Sequence, residues 1–345
     1  MKKILFSLLA LAFSIQLFSQ KPEYKVGAIG FYNFENLFDT LDTPNVRDTE
    51  FTPKGKNLYT PEVYQTKLDN LSGVIAELGT ELTPDGLAIL GVCEIENRSV
   101  LEDLVVHPNI ADRAYKIVHY DSADKRGIDV GLIYQEKYYK VEDSRRVRLH
   151  IMKNKKDSLY TRDILLVSGL FDGEPLHVLV NHWPSRSGGE ARSRPLRNAA
   201  AKAVRHVIDS LEQADPAAKV ILMGDLNDDP NNESLKKYIR AKRKKEDTKN
   251  GQMFNPMYDF YKKGIGTTAW RDAWSLFDQI LVSPSLLQDD DGYFFYKARI
   301  YNKRYLVQKT GRYKGYPFRT YSGGVFTGGY SDHFPVFIYL VKEKK

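Results

Sequence analysis

The chain has 345 residues, 42% of them hydrophobic, with 51 Lys and Arg against 44 Asp and Glu and a formal charge of +7. That apolar content supports a real core and excludes a disordered chain; a single cysteine, Cys93, excludes an intrachain disulfide and sits in an apolar run as a buried thiol. A basic balance favours polyanionic partners, but much of the excess lies between Lys236 and Lys249, where a solvated surface accounts for it equally well.

Residues 1–20 have a secretory-signal layout: Lys2 and Lys3, an apolar stretch from Ile4 to Phe18, then Ser19-Gln20. A membrane anchor is the competing reading, but the stretch is short for spanning. Residues 21–345 are then expected to form one exported domain, periplasmic or extracellular, without stable membrane insertion and acting as a monomer. Short apolar runs rich in Val, Ile and Tyr predict buried strands at Leu87–Cys93, Ile128–Tyr134, Ile164–Leu170, Leu176–Val180, Val220–Met223, Leu276–Val282 and Pro335–Val341. Helical spacing of apolar residues predicts amphipathic helices over Pro61–Leu78, with Pro61 in the first turn, and over Arg197–Leu211. Strands and helices alternate without a linker, so a single α/β domain is the economical reading. Three long loops, Asp39–Thr60, Lys242–Gly266 and Tyr301–Gly329, mark binding regions.

Polar residues of one chemical kind recur where these strands end. Asn33 and Glu35 follow Ala28–Tyr32; Glu94 and Glu96 follow Cys93; His182 follows Val180; Asp225 and Asn227 follow Met223; Asp278 precedes Gln279-Ile280-Leu281; Asp332-His333 precedes Phe334. A single such residue is ordinary turn or cap chemistry. Six clusters are not, since carboxylate and carboxamide oxygens suit Mg²⁺, Mn²⁺ or Ca²⁺ and a His–Asp pair suits proton handling. Glu96 reads either as a partner of this set or as a solvated turn carboxylate. Trp274 reads as packing, and the Gly-rich Tyr321–Tyr330 as a turn or a cradle.

Tyr32-Asn33-Phe34-Glu35-Asn36, Cys93-Glu94-Ile95-Glu96-Asn97, Asn181-His182-Trp183-Pro184-Ser185-Arg186, Gly224-Asp225-Leu226-Asn227, Phe277-Asp278-Gln279-Ile280 and Ser331-Asp332-His333 resemble, in order and spacing, the motifs of the endonuclease/exonuclease/phosphatase superfamily, the DNase I-like fold, and most of all its exported bacterial nuclease-type members. The resemblance covers nearly the whole mature chain. It implies a four-layer α/β sandwich, two mixed β-sheets packed face to face with helices outside. It also implies a divalent ion, Mg²⁺ or else Mn²⁺ or Ca²⁺, of unspecified number, held by Glu94 with Asn33 and Asp332. Asp278 would orient His333, which acts as a base or stabilises the attacked phosphate; Asp225 would align the water, Asn227 would hold a phosphate oxygen and His182 would lie near the scissile phosphate. Ser185, Arg186, Arg192, Arg126 and Trp270 are the candidate substrate-binding residues. The expected activity is phosphodiester hydrolysis, with DNA or RNA as substrate and partner. The alternatives are a lipid headgroup, inositol phosphate or nucleotide substrate, and a binding module without catalysis.

Overall fold

A computed structural model describes residues 22–152, 158–290 and 292–344; the signal-like segment lies outside them. Two mixed sheets carry the fold. The first sheet is built from β1 (Tyr24–Leu37), β2 (Ile89–Ile95), β3 (Tyr115–His119), β4 (Asp129–Gln135), β12 (Phe294–Ile300) and β13 (Val336–Glu343), in the order β12-β13-β1-β2-β4-β3. The second uses β5 (Tyr139–Val147), β6 (Ile164–Phe171), β7 (Glu174–His182), β8 (Val220–Asp225), β9 (Ala241–Lys242), β10 (Met253–Phe254) and β11 (Asp278–Val282), in the order β9-β10-β11-β8-β7-β6-β5. Each sheet has a parallel central pair, β1 with β2 and β7 with β8, flanked by antiparallel neighbours. A parallel pair needs a long crossover. Helix α1 (Pro61–Glu77) lies in the first and α3 (Glu190–Ala214) in the second, while a short α2 (Arg98–Val105) follows β2.

Burial explains the layers. Ile29, Phe31, Ile89 and Ile338 of the first sheet meet Val167, Val178, Val180, Ile221, Met223 and Ile280 of the second in one inter-sheet core. Leu68, Leu71 and Ile75 of α1 cover the outer face of the first sheet at Tyr32, Leu90 and Val92. Val204 and Ile208 of α3 cover the second at Leu222 and Leu281. The result is the expected helix–sheet–sheet–helix sandwich.

All seven predicted strands are present. α1 begins at Pro61 as expected, its first turn capped by the Thr60 hydroxyl accepting from Val63 N. α3 starts earlier than its apolar spacing suggests, at Glu190, so Arg192 and Arg194 belong to a helix rather than to the loop after His182. The basic Lys236–Lys249 stretch lies away from the motif-bearing strand ends. Phe254, which packs beside it, pairs with Val282, and Val282 pairs with Ile221 at the start of β8. Several of its cations are in ion pairs, Lys237 with Glu233, Arg240 with Asp209 and Arg243 with Asp259.

β7 and β8 approach closely beside Asp225. A Cβ on Gly224 would stand 2.2 Å from the Asn181 carbonyl oxygen, with backbone rather than a yielding side chain in the way. Gly224→Ala is therefore expected to cost about 1–3 kcal/mol, read as a lower urea midpoint at unchanged slope.

Candidate active site

The strand ends β1, β2, β7 and β8 reach one edge of the sandwich, where the antiparallel β11 and β13 begin. Two irregularities aim the acids. The register of β2 skips Glu94 between Cys93 and Ile95, and that of β1 breaks between Asn33 and Leu37. A bulge re-aims a side chain that strict alternation would send elsewhere. Glu94, Glu35 and Asn227 all have left-handed backbones, at φ 58°, 48° and 49°. Such conformations cost about 1–3 kcal/mol each at non-glycine residues and cluster at functional sites.

The geometry brings Asn33, Glu94, His182, Asp225, Asn227, Asp278, Asp332 and His333 together. Asn33 Nδ2 donates to Asp225 Oδ2 at 3.1 Å, a bond from one sheet to the other. The other Asp225 oxygen accepts from Asn227 N at 3.0 Å, and Asn227 Nδ2 donates to the Trp183 carbonyl at 3.1 Å. His182 Nε2 lies 3.6 Å from Asp225 Oδ2 and 3.8 Å from Glu94 Oε1. His333 Nδ1 sits 2.7 Å from Asp278 Oδ2, leaving Nε2 4.0 Å from both Asp225 and Asp332. Thr267 supports the pair, its hydroxyl donating to Asp278 Oδ2.

The two histidines are pushed apart in protonation. Burial alone would lower His333, but Asp278, then Asp225 and Asp332, hold it well above its ordinary range. Burial, followed by Arg162, Arg126 and His333, holds His182 well below it. One imidazole is thus cationic and the other neutral at neutral pH. Burial raises Asp225 to about 7, against the opposing pull of His333.

The donor set fits a hard cation. Glu94 is raised by burial and by Asp332, and Glu35 is raised to about 8 by burial and again Asp332. Carboxylates that repel one another at a buried edge are the environment a divalent ion neutralises. Asp225, Asp278 and His333 also offer donor atoms within 4.8 Å of one another. However, Asp278 Oδ2 is already bound to His333 and Thr267, while Glu94, whose carboxyl is raised by burial and by Asp332, could offer a further donor.

Lys67, Arg162, Arg319 and Thr320 carry no signal in the sequence. Glu35 Oε2 accepts from Thr320 N at 2.6 Å, and the fully buried Lys67 of α1 donates to the Thr320 hydroxyl at 2.6 Å. Burial lowers Lys67 to about 8 while Glu35, Asp332 and Glu94 pull it up. Arg319 lies 3.9 Å from Asp332 Oδ2. Arg162 is buried, donating to Asp124 Oδ2 at 2.9 Å and to the Trp183 carbonyl at 2.7 Å beside His182.

The candidate substrate-binding residues divide. Arg126, half exposed and tethered to Asp124, is close enough to lower both Glu94 and His182. Trp270 is 69% exposed on a ribbon rising between Thr267 and Asp278; Trp274 of the same ribbon stacks on Phe334 at 6.0 Å. Arg192 and Ser185 are exposed. The Arg186 guanidinium is engaged with the Asn227 carbonyl, Asp228, Asp229 and Asn232, and packs over Phe277 at 4.5 Å. It braces the loop carrying Asn227. Asp228 is fully buried, 2.6 Å from Arg197. Glu96 is 6% exposed and accepts from Asp39 N and the Thr43 hydroxyl, clamping the loop after β1. In Tyr321–Tyr330, Gly323 and Gly324 form the turn of a small ribbon.

Two stacked mixed sheets with this edge define a phosphoesterase-type fold. The sequence matches the model of the Endonuclease/Exonuclease/phosphatase family over residues 28–342, and the chain belongs to that family, whose members hydrolyse phosphoesters and typically depend on a divalent metal. No curated protein sequence matches it. Among solved structures it is similar to an endonuclease/exonuclease/phosphatase family protein of Bacteroides thetaiotaomicron, at 15% identity and TM-score 0.54 over 94% of this chain and 100% of that one. It is also similar to the mannosyl-6-phosphatase of the same organism, at 15% and 0.54 over 91% and 99%. D. rerio TDP2 complexed with a single-strand DNA product aligns at 14% and 0.51 over 92% and 99%.

Lys67 is the buried cation among these acids. Where Glu35 is ionised, above about pH 8, removing Lys67 leaves its charge uncompensated, so Lys67→Met is expected to cost about 3–5 kcal/mol there, most of it recovered by Lys67→Met with Glu35→Gln. Folded Glu35 keeps its proton to about pH 8, whereas the unfolded chain releases it near 4.5. The folded state then binds more protons across that window, so this group's contribution to stability falls as pH rises. The single variant should steepen that fall in metal-free buffer, and the double variant should abolish it, as read by urea unfolding at several pH values.

Proposed function

We propose that the chain is an exported, divalent-metal-dependent phosphodiesterase, a nuclease cutting DNA, RNA or both. The observation that carries the reading is the pairing of a cationic His333, held by Asp278, with a buried Asp225 across one edge that also carries Glu94 and Asp332. Attack of water on a phosphodiester builds negative charge that carboxylates alone would repel. A bound Mg²⁺ on Glu94, Asp332 and the Asn33–Glu35 turn would neutralise that charge as a Lewis acid. Asp225, held by Asn33 and Asn227 N, aligns and deprotonates the water in this reading, which its raised pKa supports. His333 Nε2 presents a cation to the phosphate oxygens, and neutral His182 offers a hydrogen bond on the other side of Asp225. Asn227 holds a phosphate oxygen with the second hydrogen of its amide.

A nucleic-acid substrate is supported by exposed Trp270, which offers a stacking surface, and by Arg126 and Arg192. The decisive test supplies plasmid DNA, RNA, a phospholipid, a sugar phosphate and bis-p-nitrophenyl phosphate with Mg²⁺, with and without chelator. Cleavage of nucleic acid that chelator abolishes is expected. Asp225→Asn and His333→Ala should each lower turnover by about 10²–10⁴-fold with the fold intact. Turnover of the sugar phosphate alone would replace a nuclease with a phosphatase, and near-normal rates in either variant would overturn the assigned roles.

A further inference from the structure

The segment between β12 and β13 carries Lys303, Arg304, Lys309, Arg312, Lys314 and Arg319 and no acid from Tyr301 to Ser331. Its middle folds back as a narrow finger. Phe318 N donates to the Leu306 carbonyl, Val307 pairs with Pro317, Gln308 N donates to the Tyr316 carbonyl and Gly315 N to that of Gln308. The root of the finger is fastened to the site. Arg319 faces Asp332, Thr320 N holds Glu35, and Tyr316 OH donates to Asp272 Oδ1 at 2.6 Å on the Trp270 ribbon. The Arg319 guanidinium packs on Tyr313 at 5.0 Å, tying the tip to the root. The tip presents exposed Lys309, Arg312 and Lys314, none of them in an ion pair among the described residues.

From this placement we infer that the finger is a polyanion clamp, in which Lys309, Arg312 and Lys314 bind backbone phosphates of nucleic acid beyond the bond being cut. Exposed cations on a rooted hairpin with no acid beside them make a local positive field that draws a polyanion. The three cations sit beside a root that is fastened to the site at Arg319 and Thr320, so they meet the flanking phosphates of a polymer and not the small esters a phosphatase accepts. A lipid-docking hairpin would instead expose apolar side chains at its tip, and Lys309-Thr310-Gly311-Arg312-Tyr313-Lys314 offers only one aromatic among three cations.

The inference rests on the nuclease reading, and its test is kept separate by measuring binding in chelator, where no cleavage occurs. A triple variant, Lys309→Ala, Arg312→Ala and Lys314→Ala, is compared with the intact chain and with a control of equal charge change at the far end, Lys236→Ala, Lys244→Ala and Lys249→Ala. Fluorescence anisotropy reads their affinity for a labelled oligonucleotide of about twelve residues over a salt series, in which each phosphate that is no longer neutralised lowers the slope by about 0.7–0.9. The finger variant should bind at least about tenfold more weakly at low salt, with a slope reduced by about 2–3, while the control matches the intact chain. Equal affinity and slope in the finger variant, or an equal weakening in the control, would overturn the inference. So would tighter binding of the intact chain to phosphatidylglycerol vesicles than to the oligonucleotide. Failure of the intact chain to cut nucleic acid with Mg²⁺ would remove the nuclease reading while these binding data still decide what the finger does.

Discussion

The hydrogen bond from Asn33 to Asp225 joins the end of β1 in one sheet to the end of β8 in the other, and every part of the site is organised around it. Neither sheet contains the active edge by itself. Glu94, Glu35 and Asp332 come with the first sheet, His182, Asp225 and Asp278 with the second, and His333 crosses from the first to rest on Asp278. The apolar layer between the sheets therefore has a functional task as well as a stabilising one. Val180 and Met223 approach so near to Gly91 that a Cβ there would lie 2.5 Å from the Met223 sulfur. Interiors packed this closely transmit displacement instead of absorbing it, so the spacing of the sheets fixes the distance from Glu94 to Asp225.

Much of this was legible in the sequence because the central strands are covered on both faces and so read as continuous apolar runs. The edge strands were not. β3, β5 and β12 pair on one side only, and β5 spells Tyr139-Lys140-Val141-Glu142-Asp143-Ser144-Arg145-Arg146-Val147, with too little apolar character to stand out from a loop. Residue types at strand ends pointed to the chemistry, yet period-two reasoning cannot place Glu94. Its side chain reaches the site only because a bulge interrupts β2 there, and nothing in Cys93-Glu94-Ile95 announces a left-handed residue. Lys67 and Arg162 were invisible for another reason. Each looks locally like an ordinary cation, one in an amphipathic helix and one before a strand, and only the tertiary fold turns them toward buried carboxylates and His182.

Arg186 shows the limit of reading function from charge. It stands four residues after His182, as a phosphate-gripping residue would, but Asp228 and Asp229 lie within its reach and are themselves anchored by Arg197, Ser234 and the Leu276 amide. A guanidinium with five donors goes where acceptors are already fixed. It bears on the site through Asn227, whose backbone carbonyl it holds in a conformation that would otherwise be unfavourable.

The net charge divides in the same way. Cations at the far end meet Glu233, Asp209 and Asp259, so they add to the total without creating a field at the site. Screening at physiological salt falls off over about 8 Å, which isolates the two ends electrostatically. What a phosphate meets at the active edge is a local balance. Glu35, Glu94, Asp225 and Asp332 there oppose His333, Lys67, Arg126 and Arg319. Lys67 is buried behind Thr320 and compensates charge inside the wall, while Arg319 is drawn to Asp332, so neither is free to carry the ester. A dianionic transition state at this edge would gain from a further cation, because these carboxylates already crowd one another before any substrate is considered.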